Sequence, residues 1–413
     1  MHKRHAMNTV IANHRRFGIS RLGNTTGLDR IGIPTFSATM PGTSDVIWIY
    51  SGKGTSVREA KLSAVMECLE RTAALWDVSR VTVSSIETLK NSCRFVDPNC
   101  FTEKLTGYSL SRPVAWVWGI SILDGQQRLV PAELAFNGYR PAEIPQGFFS
   151  ISSSNGLAAA FSLEHALLHG IEECIERDAV SVAELRCSHY GLSFLVKIAQ
   201  AFGIDDSCVT SSYRDQALGL VEIKPETLPK DIAAIHKKIA RASVEIRIKA
   251  ISNDMGIPVF CAACVEDVGD GSHLQVAGYG ASLCARRALR SALLELCQSR
   301  ATDKQGGRED CISIEKKRSI RPPAQYWITC RDVPVASFDE VVSQYFRAGS
   351  RTVDTYCRRL AEVGLEDVLY VRFPRYEGIE VVRVLIPGIE TWHATAGESR
   401  IGARVMKYIG SEQ

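Results

Sequence analysis

Two nearly identical pentapeptides place a pair of carboxylates beside an arginine. Their sequences are Glu67-Cys68-Leu69-Glu70-Arg71 and Glu173-Cys174-Ile175-Glu176-Arg177. Residues three apart lie on the same face of a helix, so each pair brings two like charges together. Mg²⁺ accepts carboxylate ligands together with phosphate oxygens, and the planar guanidinium group of arginine suits phosphate. The repeated pattern therefore indicates a site for a divalent cation and a phosphate group.

A third segment repeats part of this arrangement. Glu295 is followed three residues later by Gln298, an amide where the first two segments have an acid. Taken alone, one acid pair is ordinarily a solvated helix face, but recurrence in three segments favours a shared site. Each segment also follows a glycine-bearing stretch that we expect to be a loop: residues 51–54 (SGKG), 153–156 (SSNG) and 277–280 (AGYG).

Familiar nucleotide and metal motifs are incomplete in this chain. Residues 52–55 (GKGT) resemble the end of a P-loop, but Ile47 occupies the position of its first glycine. Residues 278–283 lack the third glycine of a dinucleotide-binding motif. Cys261 and Cys264 form a lone CxxC in an apolar, strand-like segment, where they would point to opposite faces. This pair predicts packed thiols rather than a zinc site.

Helices have to present the three acid segments. Apolar residues recur at helical spacing over 57–76, 163–185 and 285–300, and each range contains one acid segment. Short apolar stretches between turn residues predict strands within 19–50 and 105–135. We expect further helices at 194–202 and 231–242, strands at 257–265, 369–373 and 381–388, and an exposed loop at 301–324.

The composition of the chain is that of an ordinary globular protein. Of its 413 residues, 45% are hydrophobic and 23% are charged, and the net charge is +3. This small charge argues against a nucleic-acid partner, and no apolar stretch is long enough to cross a membrane. We expect one mixed α/β (α+β) domain over residues 19–400, between a basic flexible N-terminus (1–18) and a C-terminal tail (401–413).

The cysteines and the N-terminus predict a cytoplasmic protein. The 13 cysteines are scattered and odd in number, and no secretory signal accompanies them. They therefore indicate buried thiols in a reducing compartment. The N-terminus is basic and free of acids, so a mitochondrial transit peptide is the alternative to a frayed tail.

Several segments together resemble the YcaO family, over roughly residues 19–390. The segments are 23–38 (GNTTGLDRIGIPTFSA), 51–71 (SGKGTSVREAKLSAVMECLER), 153–179 (SSNGLAAAFSLEHALLHGIEECIERDA), 288–300 (ALRSALLELCQSR), 306–310 (GGRED) and 381–390 (VVRVLIPGIE). The resemblance implies helices packed on mixed sheets around an ATP site that has no P-loop. It also implies ATP and Mg²⁺ as cofactors.

The resemblance assigns roles to the residues of the repeated segments. As metal ligands it implies Glu67, Glu70, Glu173, Glu176 and His165. As nucleotide contacts it implies Lys53, Ser63, Glu67, Arg71, Arg177 and Gln298. As catalytic residues it implies Arg71, Arg177, Glu295 and Gln298.

One departure from the family pattern concerns the metal site. Many members have Glu-Glu-Ala where this chain has Glu164-His165-Ala166. Either Glu164 substitutes for the missing carboxylate or the metal site has one acid fewer. Ala160 also stands where a glycine is common in the family.

The chemistry that the resemblance implies is activation of a backbone amide by phosphorylation of its oxygen. A Cys, Ser or Thr side chain would then close an azoline ring, sulfide would give a thioamide, and an amine would give an amidine. Ring-forming members often end in a proline-rich tail, whereas this chain has no proline after Pro387. This difference slightly favours a thioamide. The implied partners are a peptide or protein substrate and a separate leader-peptide-binding or TfuA-like protein, and a homodimer is one option for the assembly.

Two other classes of function remain open from the sequence. The chain could be a non-catalytic nucleotide-binding protein that supports another modification enzyme, such as a methylthiotransferase. It could also be a structural protein with coincidental helices, which the multi-segment resemblance disfavours. Retention of both Glu-x-x-Glu-Arg units favours an active site, and His165 favours an altered activity.

Overall fold

The fold combines helices with mostly antiparallel sheets, which confirms the predicted mixed α/β class. The computed structural model describes residues 2–149, 153–187, 203, 219–267, 273–307, 318–319, 327–329, 333–345, 350–394 and 399–410. Its helices are α1 (His2–Ala12), α2 (Val57–Ala73), α3 (Ile86–Lys90), α4 (Ala132–Ala135), α5 (Leu163–Cys187), α6 (Lys230–Arg241), α7 (Ala285–Gln305), α8 (Phe338–Gln344), α9 (Val353–Glu362) and α10 (Ala403–Gly410).

The described strands form three sheets. They are β1 (Arg21–Asn24), β2 (Thr35–Thr39), β3 (Ile49–Lys53), β4 (Thr82–Ser84), β5 (Val114–Ser121), β6 (Gln127–Pro131), β7 (Leu157–Ala160), β8 (Leu220–Ile223), β9 (Arg247–Ile251), β10 (Val259–Asp267), β11 (His273–Ala281), β12 (Arg318–Ser319), β13 (Val335–Ala336), β14 (Leu369–Arg372) and β15 (Glu380–Leu385). The strand orders are β1-β2-β3, β4-β5-β14-β15-β7 with β6 beside β5, and β12-β11-β10-β9-β8-β13. All pairings are antiparallel except that of β8 with β13.

Helix α5 is the central helix of the fold. One side of it packs against β7 and β15 of the second sheet, and another side packs against β11 of the third sheet. Its apolar residues, such as Ile171, Ile175 and Val180, are almost fully buried. A helix with apolar contacts on more than one face is buried in the interior, so the second acid segment is held between two sheets.

Glycines allow α2 and α7 to lie directly on strands. A Cβ on Gly52 of β3 would lie 2.1 Å from the Ala64 nitrogen of α2, and one on Gly278 of β11 would lie 2.1 Å from the Leu296 nitrogen of α7. A close approach of two backbones requires glycine on the strand. The expectation that residues 51–54 and 277–280 form loops is therefore wrong for most of both stretches, because residues 51–53 belong to β3 and residues 277–280 to β11.

Both end segments of the chain contain a helix that the sequence did not predict. Residues 2–12 form α1, which packs on α2, and Asn8 Oδ1 accepts a hydrogen bond from Arg58 Nε at 2.7 Å. Residues 403–410 form α10, where Arg404 makes a buried ion pair with Asp178 of α5 (Nε–Oδ1 2.7 Å). Tertiary contacts therefore order helices that local composition does not indicate.

Most of the predicted elements are present where the structure describes the chain. The predicted helix at 231–242 is α6, and the strands predicted at 257–265, 369–373 and 381–388 correspond to β10, β14 and β15. Residues 301–305 continue α7 instead of starting the expected loop. Most of the remainder of that loop and the helix predicted at 194–202 lie outside the described residues.

The CxxC cysteines point to opposite faces of β10, as predicted. Cys261 packs in the core that contains α5, whereas Cys264 packs in the core that contains α6 and α7. Both side chains are buried, and Cys264 Sγ lies 3.2 Å from Arg300 Nη1.

Among the described helices, none combines the length and apolar character that a membrane span requires.

Candidate active site

Helices α2, α5 and α7 surround one cavity of about 1270 Å³. Small-ligand pockets ordinarily measure roughly 300–1,000 Å³, so this cavity has room for a nucleotide and part of a second substrate. The structure brings together nearly all of the residues that the sequence predicted for the site. Those lining the wall are Lys53, Ser63, Glu67, Glu70, Arg71, His165, Glu173, Arg177, Glu295 and Gln298.

The three helices run in the same direction along the cavity. Arg287 of α7 contacts His169 of α5, with 2.7 Å between Nη2 and Nε2. Eight residues further along each helix, the Arg177 cation is close enough to lower the pKa of Glu295. On α2, Glu59 likewise precedes the acid segment, and its Oε2 atom accepts a hydrogen bond from Arg290 Nη2 of α7 at 2.9 Å. Residues that precede the acids therefore form one end of the cavity, and the acids lie midway along it.

The acids facing the cavity on α2 and α5 repel one another. Burial raises the pKa of Glu70 well above its usual value, and the nearby Glu173 and Glu67 carboxylates raise it further. Burial also raises the pKa of Glu173, in spite of the Arg177 and Arg383 cations beside it. Glu70 Oε2 accepts a hydrogen bond from the Ala159 nitrogen of β7 at 3.0 Å, which fixes its position. The arginine cations near Glu70 and Glu173 therefore do not balance the negative charge of the acids in this part of the cavity.

Glu176 is absent from the residues that line the cavity, but its carboxyl group feels the same cluster of acids. Its side chain is buried, and burial together with the Glu295 and Glu173 carboxylates raises its pKa to about 8. The Arg177 guanidinium opposes this rise, with 3.4 Å between Arg177 Nη2 and Glu176 Oε1. Glu176 therefore shares the charge of the cluster without lining the cavity itself.

The third acid, Glu295, has its own cation. Burial acts to raise its pKa, but Lys53, with its Nζ 2.8 Å from Oε2, and the nearby Arg177 lower the pKa overall. Gln298, one turn further along α7, donates from Nε2 to the Ser51 carbonyl oxygen at 3.0 Å. Strand β3 thus positions both polar residues of the third segment.

Arg71 has a partner that sequence reasoning missed. Its guanidinium makes a bidentate ion pair with Asp45, at 3.0 Å from Nε to Oδ2 and 2.8 Å from Nη2 to Oδ1. Both residues are buried, and Tyr50 donates from its hydroxyl group to Asp45 Oδ2 at 3.1 Å. Asp45 fixes the plane of the Arg71 guanidinium at the cavity wall, so it is a positioning residue. No local motif marks it, because it lies 26 residues before Arg71.

The histidine that departs from the family pattern also faces the cavity. His165 Nδ1 lies 2.6 Å from the Ser162 hydroxyl oxygen, at the start of α5. The neighbouring Glu164 is exposed and is not part of the wall. Glu164 therefore does not take the place of the missing carboxylate in this structure.

A second polar network adjoins the cavity and was not predicted. Glu172 is buried next to Glu173 on α5 and accepts hydrogen bonds from Ser282, Tyr356 and Arg351. These bonds and the Arg351 cation lower its pKa although burial acts to raise it. The contributing residues are far apart in the sequence, so the only signal was that Glu172 lies in the family-like segment 153–179, directly before the second acid segment.

Buried Arg383 on β15 is another missed residue. It donates from Nε to the Leu134 carbonyl oxygen at 2.9 Å, and its cation limits the rise in the pKa of Glu173. Its Nη1 atom is buried without a hydrogen-bond partner among the described residues. Arg383 belongs to the family-like segment 381–390, which was the available signal.

The acid cluster fits a cation that is brought in with a phosphate group. Within the described ranges, no three carboxylate, imidazole or thiol groups are arranged to hold a metal ion by themselves. Mg²⁺ retains water and is commonly held by one or two carboxylates plus substrate phosphates. The raised pKa values of Glu70, Glu173 and Glu176 show a concentration of acids that a divalent cation would relieve.

A family model described as YcaO cyclodehydratase, ATP- and Mg²⁺-binding, matches residues 51–390. An uncharacterized protein from Methanothermobacter thermautotrophicus is 30% identical over 401 residues, covering 95% of this chain and 94% of the relative. An uncharacterized protein in the tfuA 3′ region of Rhizobium leguminosarum bv. trifolii is 28% identical, covering 91% and 84%.

Solved structures share the fold at lower identity. YcaO from Methanopyrus kandleri, bound with AMPPCP and Mg²⁺, has a TM-score of 0.67 and 20% identity, covering 96% of this chain and 94% of that chain. A chain of the E. coli microcin synthetase McbBCD complex has a TM-score of 0.58 and 15% identity, covering 86% and 84%. The fold is thus similar over nearly the whole length of these chains.

Proposed function

The chain belongs to the YcaO cyclodehydratase family, and on this premise we propose that it uses ATP and Mg²⁺ to phosphorylate a backbone amide oxygen in a peptide or protein substrate. The observation that carries the proposal is the convergence of three acid segments, with Lys53 and Arg177, on one cavity. Carboxylates for a divalent cation and cations for phosphate are the groups that phosphoryl transfer requires.

The proposed step makes the amide carbon reactive. Resonance gives the amide C–N bond partial double-bond character, and the carbon is a poor electrophile. The amide oxygen would attack the γ-phosphorus of ATP, so that an O–P bond forms, the bond to the ADP leaving group breaks, and the amide nitrogen loses its proton. A nucleophile then adds to the carbon, and the oxygen departs as phosphate.

The residues of the cavity have distinct parts in this step. Glu67, Glu70 and Glu173 would hold Mg²⁺, which when bound neutralises charge on the phosphate oxygens. Arg177 and Lys53 would orient the phosphates, and the cations of both side chains also lie beside Glu295. Asp45 holds the Arg71 guanidinium in one orientation at the wall.

For the nucleophile, we propose sulfide, delivered with the help of a separate TfuA-like protein, so that the product is a thioamide. The support is the Rhizobium relative, which is described by its position in the tfuA 3′ region. Azoline formation is the second candidate, because structural neighbours include heterocyclases such as TruD. In both cases the activated amide is the common intermediate.

Calorimetry of the purified protein tests the nucleotide part of the proposal. We expect saturable ATP binding that requires Mg²⁺ and is strongly weakened in Glu70→Gln. The exposed Glu87 of α3 offers a matched control, and Glu87→Gln should bind as the wild type does. Absence of ATP binding both with and without Mg²⁺ would contradict the site.

Mass spectrometry distinguishes the products. Co-expression with neighbouring genes should give a substrate peptide whose mass increases by the replacement of oxygen with sulfur. Loss of water would instead show an azoline. An unmodified peptide under conditions in which the protein binds Mg·ATP, together with rescue of another modification enzyme, would show a non-catalytic accessory role.

A further inference from the structure

The ring of His169 is held in one tautomer beside the acid cluster. It lies on α5, one turn before Glu173, and its exposed surface lines the cavity. Arg287 Nη2 lies 2.7 Å from His169 Nε2. A guanidinium group can only donate, so Nε2 must accept, and the single proton of the neutral ring is then on Nδ1. His169 is therefore a neutral hydrogen-bond donor through Nδ1.

Arg287 is itself restrained by the buried carboxylate of Glu172. Its Nε atom lies 4.0 Å from Glu172 Oε2, and Arg351 donates to the same carboxylate from Nε and Nη2 at 2.7 and 2.6 Å. A protonated His169 would face the Arg287 cation, and burial together with this cation keeps the pKa of His169 below its usual value. The ring therefore stays neutral throughout the physiological range.

Nδ1 of His169 has no hydrogen-bond partner among the residues that the structure describes. Along α5, His165 lies one turn before His169 and Glu173 lies one turn after it, and both line the cavity. Nδ1–H is thus a donor whose acceptor is not supplied by the described part of the protein, and a cavity ligand is the natural source of one.

The surroundings of His169 indicate which part of a ligand lies there. Apolar and aromatic residues that precede the acids also line the cavity: Leu62 on α2, Phe161 just before α5, and Met7 of α1, whose sulfur lies 3.7 Å from Arg58 Nη2 near the start of α2. Flat nucleobases stack on such surfaces. Two polar residues, Thr302 and Asp303, line the cavity after Glu295 on α7 and so mark the opposite end. With the phosphates at the acids, the nucleoside belongs at the apolar end, and the second substrate belongs at the polar end where it can reach the γ-phosphate.

We propose that His169 Nδ1 donates a hydrogen bond to a ribose hydroxyl group of ATP, so that this residue sets the preference for ribonucleotide. The ribose lies between base and phosphates, and His169 lies between the apolar wall and the acid Glu173. The inference rests on the proposed ATP site and adds a specificity-determining residue to it.

Binding of three nucleotides to the full-length protein in Mg²⁺ tests this role. The probes are ATP, 2′-deoxy-ATP and 3′-deoxy-ATP, measured by calorimetry. The wild type should bind one of the two deoxynucleotides about 10-fold more weakly than ATP, because a neutral hydrogen bond is lost. His169→Phe should bind ATP and that deoxynucleotide equally, and His169→Gln, which retains an N–H donor, should restore part of the difference.

Neighbouring arginines provide matched controls. Arg287→Gln should reduce the discrimination, because the tautomer is no longer fixed. Arg286→Gln should leave it unchanged, because Arg286 pairs with exposed Asp231 (Nη2–Oδ1 2.5 Å) instead. If His169 had a merely structural role, its substitution would weaken the binding of all three nucleotides together and leave the ratio of their affinities constant.

The outcomes separate this inference from the proposed function. No binding of ATP by the wild type would remove the nucleotide site itself. Tight ATP binding without discrimination against either deoxynucleotide would overturn the role of His169 alone. Discrimination that persists in His169→Phe would also overturn it.

Discussion

Helices α2 and α5 carry the same pentapeptide pattern but distribute its charge differently. The arginine of α2, Arg71, pairs with Asp45, a buried residue outside the pattern. The arginine of α5, Arg177, instead lies against its own acids, 3.9 Å from Glu173 and 3.4 Å from Glu176. Nearly identical local sequences therefore lead to two charge arrangements.

This difference separates two roles that the repeat alone would merge. Because Arg71 is paired with Asp45, its cation is only the last of several influences on the pKa of Glu70, which stays well above its usual value. The acids of α2 therefore still need an external cation. The acids of α5 share Arg177, which can contact phosphate when Mg²⁺ compensates them. We infer that α2 contributes mainly to cation binding and α5 to both cation and phosphate binding.

Removing each arginine gives the largest expected contrast in stability. Arg71→Gln should lower the free energy of unfolding by about 3–5 kcal/mol, because it leaves the buried Asp45 carboxylate unpaired. Arg177→Gln should cost less than half of that, because Glu173 and Glu176 can bind protons when the cation is removed. Urea denaturation of the nucleotide-free proteins measures both. The double variant Asp45→Asn/Arg71→Gln should recover part of the loss, and equal losses for the two single variants would remove the contrast.

Neutralising one acid on each helix compares their contributions to Mg·ATP binding. Glu70→Gln should weaken binding by about 100-fold, because a hard cation loses a charged ligand. Glu176→Gln should weaken it by about 10-fold, since this residue does not line the cavity. Both variants should melt at or above the wild-type temperature without nucleotide, because repulsion is relieved. A fall in stability of several kcal/mol with unchanged affinity would instead identify a structural network.

The raised pKa of Glu176 predicts a pH dependence of the nucleotide-free protein. Its pKa is about 8 in the folded state and about 4.5 when unfolded, so the folded state binds more protons between these values. Stability should fall as pH rises through this window, by about 2 kcal/mol between pH 6 and 8. Chemical denaturation in the presence of EDTA measures this fall, and Glu176→Gln should make it smaller. A stability that increases over the window would contradict the assigned cause.

The cysteines within the two pentapeptides give the smallest expected effect. Cys68 and Cys174 are both buried, and burial raises the pKa of both thiols. Cys68→Ala and Cys174→Ala should each lower stability by about 1 kcal/mol through lost packing and leave ATP affinity within about 2-fold. In this respect the two helices should behave alike, and loss of nucleotide binding in either variant would assign its thiol to the chemistry.

The sequence predicted elements and site residues where the signal is local. Helical periodicity located α2, α5 and α7, and the repeated acids located the cavity wall. The partner of Arg71 could not be predicted, because an ion pair with Asp45 depends on how β3 and α2 meet. The tautomer of His169 depends in the same way on Arg287, which is 118 residues away.

Two local signals were misleading for physical reasons. Glycine ordinarily marks loops, but Gly52 and Gly278 lie in strands, where the absence of a side chain admits a helix. The acid-free N-terminus lacks the usual signals for the start of a helix, yet α1 forms because it packs on α2, with a hydrogen bond from Arg58 to Asn8. In both cases the tertiary contact outweighs the local preference.

The glycine contacts of β3 and β11 also set how the cavity can move. The backbone of each helix contacts the backbone of its strand directly at Gly52 and Gly278. No side chain lies between them there, so no change of rotamer can let the helix shift relative to the strand. Each strand and its helix should therefore fluctuate as one rigid body, with slow amide hydrogen exchange whether or not a ligand is bound. Admission of a nucleotide then has to come from motion at the rim, and the spacing of the carboxylates stays fixed while it enters.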